Sequence, residues 1–193
     1  IVFIAGNLAS DRDAIIELVL KNSEKVFPKF EYIRVSDMIP KRRELSPKAI
    51  SEIRKIVSKR LEETIREKLK LADNLIINCP LTLKFSNTFL PLLQTEFFRN
   101  YKPHMFMYLE TQLIPHKQMI DPEFPEFKLI RKDSASAALS KQLELIHGIE
   151  KQYAVMYSSD VGSMLKIVEI RPGNIRHAIH DVYRTLKAIL GGI

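Results

Sequence analysis

Ile1-Val2-Phe3-Ile4-Ala5-Gly6-Asn7-Leu8-Ala9-Ser10-Asp11-Arg12-Asp13 opens the chain. Five apolar residues end at a glycine, and a polar run rich in helix-capping side chains follows. This predicts a buried strand over Ile1 to Ala5, a tight turn at Gly6 and a helix starting near Asp11. The layout is that of a phosphate-binding turn, whose pattern is G-x-x-x-x-G-K-[ST]. With Gly6 as the first glycine, the last three positions hold Asp11, Arg12 and Asp13. The spacing is kept and the chemistry is changed.

Such a turn wraps backbone N–H groups around phosphates, and the following helix adds partial positive charge. As a nucleotide site it would offer Gly6, Asn7, Ser10, Asp11 and Asp13, with Arg12 in place of the lysine. Arg12 brings a bulkier, planar cation. The side chains of Asp11, Arg12 and Asp13 sum to −1, where an anion site favours a positive value. The same residues also have a purely structural reading. Ser10 or Asp11 caps the helix, and Asp13 sits in the first turn, where acids suit the dipole.

At 193 residues, with 46% hydrophobic residues, the chain is expected to be one domain with a substantial core. No run of about 18 apolar residues predicts a membrane span. A single cysteine, Cys79, excludes an internal disulfide and fits a reducing, cytoplasmic setting. The net charge of +7 permits phosphate-bearing partners, from nucleotides to RNA. The Lys, Arg, Glu and Ile content hints at a thermophile.

The rest of the chain alternates strands and helices. The first helix is expected over Asp11 to Lys21, with Ile15, Leu18 and Val19 facing the core. A strand over Glu31 to Val35 leads into Ser36-Asp37-Met38. Lys41, Arg42 and Arg43 form a basic turn. Ser46-Pro47 opens a long helix with an apolar stripe of Ile50, Ile53, Val57, Leu61, Ile65 and Leu69. Lys55, Lys59, Glu62, Arg66 and Lys70 fall outside the stripe, as a solvated face would. The third strand, Asn74 to Asn78, has the apolar centre of a parallel strand covered on both faces. A short helix over Leu92 to Arg99, a strand over His104 to Leu109, a helix over Ala135 to Met156, a strand over Leu165 to Ile170 and a helix from Asn174 to Leu190 complete the order. Residues 110–134, with Pro115, Pro122 and Pro125, read as a mobile insertion or a partner surface, which the resemblance given below makes lid-like. The expected fold is a three-layer α/β domain: a parallel five-stranded sheet flanked by helices. Ligands in such sheets sit at the carboxyl ends of the strands. That edge gathers Gly6 to Asp13, Asp37, Asn78 to Lys84 and Glu110.

These residues, in this order, resemble archaeal-type adenylate kinases of the P-loop nucleoside monophosphate kinase superfamily. Val35-Ser36-Asp37-Met38 is similar to the family's G-D-x-M turn, and Arg42-Arg43-Glu44-Leu45 to its R-x-x-L stretch. The family reads I-D-T-H-x-x-I-R-T-P-x-G-Y-L-P where this chain runs from Ile77 to Pro91, and Phe89-Leu90-Pro91 matches Y-L-P. Leu109-Glu110-Thr111 resembles the L-E-A before the family's lid. The departures fall on working residues. The strand-end Asp is Asn78, the His is Pro80, the Arg is Lys84, and the arginine-rich lid is reduced to Arg131-Lys132-Asp133. Phosphoryl transfer depends on positioning and on positive charge at the transferred group.

The resemblance therefore implies an ATP- and magnesium-binding fold with most of its transfer apparatus replaced. It implies Arg12 and Lys84 as the remaining catalytic cations. Asp37, Arg42, Arg43, Arg131 and Lys132 stand near an adenine nucleotide. The expected role is non-catalytic: nucleotide or phosphate binding, regulation or scaffolding. The alternatives are an active kinase converting ATP and AMP to ADP, and a basic partner of RNA. A homo-oligomer is expected by resemblance alone. Cys79 is expected as a buried structural thiol. His177 and His180, three apart on the last helix, could share a face, but a metal site needs further ligands and Asp181 is expected to point elsewhere, so no metal is expected there.

Overall fold

The computed structural model describes residues 1–6, 9–23, 30–40, 47–85, 88–111, 137–171 and 175–190. In order these form β1 (Val2–Gly6), α1 (Ala9–Ser23), β2 (Phe30–Arg34), a 3-10 turn (Val35–Met38), α2 (Pro47–Lys68), β3 (Asn74–Asn78), β4 (Thr82–Phe85), β5 (Thr88–Pro91), α3 (Thr95–Asn100), β6 (Met105–Thr111), α4 (Ala137–Val161), β7 (Met164–Ile170) and α5 (Ile175–Leu190). Five strands make one sheet in the order β2-β3-β1-β6-β7, flanked by helices. β3 pairs in parallel with β1 on one side (Phe3 opposite Ile77) and with β2 on the other (Ile33 opposite Ile77). This is the parallel α/β sheet expected from the alternation of strands and helices. β1 is buried at every residue, as its unbroken apolar run requires.

The structure adds a hairpin that the sequence reading lacked. β4 and β5 pair antiparallel, Leu83 opposite Leu90, and the Leu92 N–H donates to the Leu81 carbonyl at 2.9 Å. Two strands of only four residues, the second ending in a proline, carry little periodic signal, so only the pairing reveals them.

The chain divides into two compact units. The first comprises Ile1–Ala5, Lys29–Met107 and Gln152–Lys166. Its core is an aromatic cluster. The Phe98 ring lies 5.1 Å from Phe3, 5.2 Å from Phe106 and 4.4 Å from Tyr157. Phe97 and Phe98 are thus core residues. The Tyr157 hydroxyl donates to the Leu93 carbonyl at 2.9 Å, which satisfies its polar end. The α2 stripe of Ile50, Ile53, Val57, Leu61 and Ile65 is fully buried. Leu69 departs from the expectation. The helix ends at Lys68, and Leu69 sits in the following turn, 44% exposed. Cys79 is a buried free thiol that donates to the Pro80 carbonyl at 3.3 Å.

The second unit comprises Gly6–Pro28, Tyr108–Lys151 and Ile167–Ile193. Here α1 packs against α5. Ile15, Ile16 and Val19 are buried on α1, while Leu18, expected inside, is only half-buried. α5 buries Ile175, Ala178, Val182, Leu186 and Leu190, an apolar side chain at every third or fourth position. Among the described residues, no helix is long and apolar enough to cross a membrane.

Candidate functional site

Two places in the second unit bear on ligand binding: the turn after β1 and a cavity at the carboxyl ends of β6 and β7. At the turn, Gly6 is required by packing. A Cβ there would lie 2.5 Å from the Leu109 carbonyl oxygen and 3.2 Å from the Leu109 Cβ. Only a residue without a side chain lets the two backbones approach this closely. Arg12, in the lysine position of the phosphate pattern, is 2% exposed. Its Nη1 donates to the Gly6 carbonyl at 3.3 Å, and its Nε lies 3.5 Å from the Asp13 carboxylate. The guanidinium thus bonds the Gly6 carbonyl through Nη1 and pairs electrostatically with Asp13, while its Nε makes no hydrogen bond among the described residues. Asn7 lies outside the described residues. Ser10 and Asp11 fall within α1, but their side chains do not belong to the described set.

The cavity measures about 580 Å³, within the range of small-ligand sites. Glu110, near the end of β6, lines it. The Glu110 carboxylate accepts hydrogen bonds from Lys151 Nζ at 3.1 Å to each oxygen, and His147 Nε2 lies 2.5 Å away. His147 and Lys151 stand four apart on α4, so one helical face delivers both to the same acid. Burial alone would push the Glu110 carboxyl up. The hydrogen bonds from Lys151 and His147 outweigh it and hold the group below the usual carboxylate range. Beneath it, burial pushes the Tyr108 phenol up, with the charges of Glu150 and Glu110 adding to the effect. That hydroxyl stays protonated and donates to the His147 carbonyl at 3.3 Å.

β7 supplies the next wall. Ile167, Glu169 and Arg171 alternate along the extended chain and reach the same side. Arg171 pairs with Glu169. α5 contributes His177 and Asp181, four apart on one face. Asp181 therefore shares the cavity with His177, against the expectation that it points elsewhere, and His180 does not line it. Among the described residues, no group of three or more His, Cys, Asp or Glu is placed to hold a metal. The cavity thus mixes three carboxylates with Lys151, Arg171 and a histidine. Such a lining recognises a ligand through many directed hydrogen bonds more than through one net charge.

The other expected site residues scatter. Asp37 is exposed in the 3-10 turn after β2. Asn78, where the resembled family has its strand-end Asp, is buried and donates to the Tyr32 hydroxyl at 2.8 Å. Lys84 lies in β4, but its side chain is not among those described. Arg42, Arg43, Arg131 and Lys132 lie outside the described residues, as does all of the expected lid beyond Thr111. The sequence reading missed Lys151, Glu169 and Arg171. The signal for Lys151 was its four-residue spacing from His147. The signal for the other two was a charged pair two apart at a strand end, the edge where ligands collect.

No family model and no curated protein matches the chain. Among solved structures it is similar to a dephospho-CoA kinase from Campylobacter jejuni, with a TM-score of 0.44 and 12% identity over 97% of this chain and 96% of that one. A likeness at that level decides neither substrate nor activity.

Proposed function

We propose that this chain is an adenylate-kinase-like protein whose phosphoryl-transfer residues are replaced, and that it binds a nucleotide or phosphate ligand without turning it over, in a regulatory or scaffold role. One observation carries the reading. The cation that occupies the lysine position, Arg12, is buried and bonded to the Gly6 carbonyl. A phosphate cradle needs that charge directed at the ligand, and needs a hydroxyl for magnesium where this chain has Asp13. These residues do not fit a magnesium–triphosphate cradle. The ligand's place in this reading is the carboxyl-edge cavity around Glu110, where the directed groups are.

The test is a calorimetric titration with ATP, with and without magnesium, beside an assay for ADP from ATP and AMP. The reading expects binding that magnesium does not strengthen, and no ADP above background. Turnover at ordinary kinase rates, abolished by Arg12→Ala or Lys84→Ala, overturns it in favour of an active kinase with a rebuilt site. No binding of ATP at roughly 1 mM removes the nucleotide as ligand.

A further inference from the structure

The first unit holds a second cavity, of about 320 Å³, on the flank of α2. It is also of small-ligand size. Ser51, Arg54, Lys55, Ser58 and Lys59 line it, at spacings of three and four that stack them in one polar stripe beside the buried apolar one. Gln94, just ahead of α3, closes the other side, and its side chain makes no capping bond to that helix. Glu62 at one end is the single acid in the lining. Its carboxylate lies 3.7 Å from Arg66, and the lining still carries three cations against this one acid. Among the described residues Arg54, Lys55 and Lys59 make no ion pair. The Arg54 Nε is buried and has no hydrogen-bond partner there. Three cations, two hydroxyls and an amide converge on one pocket with a single carboxylate at its end.

Lone lysines on a helix are ordinarily solvated. This arrangement differs because α2 and the residue before α3 enclose space, and because three cations and two hydroxyls line that space together. We infer that this cavity binds a small phosphorylated compound: the Arg54 guanidinium and the Ser51 and Ser58 hydroxyls donate to the phosphoryl oxygens, and Lys55 and Lys59, about one turn or 6 Å apart along the helix, neutralise the charge. The inference does not rest on the reading of the turn at Gly6 or of the Glu110 cavity, because no residue is shared.

The experiment is a titration of the full chain with inorganic phosphate and with pyrophosphate, followed by backbone amide shifts. Shifts concentrated on residues 51–62 and on Gln94 are expected, saturating below roughly 10 mM. Lys55→Gln with Lys59→Gln, two exposed substitutions that keep the helix intact, is expected to weaken binding about tenfold. Arg54→Lys retains charge but not the fork, and is expected to fall between parent and double variant. Arg12→Met is expected to bind as the parent does, which separates this site from the turn. Shifts that avoid residues 51–62, or a Lys55/Lys59 double variant that binds as tightly as the parent, overturn the inference. Binding of an RNA oligonucleotide with none of pyrophosphate overturns it too, and assigns the stripe to nucleic acid.

Discussion

The turn after β1 and the cavity at the ends of β6 and β7 belong to the same unit and answer opposite questions. In the turn, two contacts within the protein occupy the groups that would serve a phosphate. The Leu109 backbone presses against Gly6, and the Arg12 guanidinium closes on the Gly6 carbonyl. In the cavity, charged side chains pair with each other around open volume: Glu110 with His147 and Lys151, Glu169 with Arg171. A sequence pattern for ligand binding can thus persist as a packing motif, while ligand-sized space forms at the strand edge among charged residues that no motif singled out.

The largest way to break this comparison is Gly6→Ala. The added Cβ meets a strand backbone at 2.5 Å, not the tip of a flexible side chain. A loss of about 3 kcal/mol in denaturant unfolding is expected. An alanine variant as stable as the parent would show the turn to be loose and open to a ligand. Next is Arg12→Met, which keeps the buried bulk and removes the donors. Unfolding is expected to fall by about 2 kcal/mol because the Gly6 carbonyl and Asp13 lose a charged partner. A variant of unchanged stability and weakened ATP binding would move Arg12 from structure to function.

Glu110→Gln acts on the cavity, with an expected loss of about 1 kcal/mol at neutral pH. Its sign against pH is fixed by linkage. The folded carboxyl titrates below its ordinary value of 4.5, so its contribution is complete above that value and disappears as pH falls through the depressed one. Parent and variant should therefore converge in acid when urea midpoints are followed downward from pH 7. A gap that persists in acid would mean that shape, not charge, holds Glu110. The smallest effect belongs to the Glu169–Arg171 pair on the cavity rim, whose side chains are 44% and 61% exposed. Arg171→Gln is expected to change stability by less than about 0.5 kcal/mol. It should nonetheless alter ligand binding if the cavity is the site.

The α/β alternation was legible because buried strands and amphipathic helices leave strong periodic marks. β3 was placed at Asn74 to Asn78 by its apolar centre alone, and the α2 stripe held through Ile65. The β4–β5 hairpin was not legible, because its register depends on a partner strand and not on local composition. The candidate sites divide the same way. Glu110 was visible at a strand end, and Asp181 was misplaced because helix phase relative to a cavity is not written in neighbouring residues. Lys55 and Lys59 read as solvated charges, since only the approach of Gln94 turns that stripe into a pocket wall.

By itself the sequence determined the order of the five sheet strands and their helices, most of the buried faces and the changed chemistry at residues 11–13, all of which follow from local spacing and side-chain type. Tertiary structure alone decided that Gly6 is a packing glycine, that Arg12 turns inward, and that two cavities lie at Glu110 and along α2. The physical reason is that each depends on which backbone approaches which, and distances between residues far apart in the chain are set by packing rather than by any short stretch of residues.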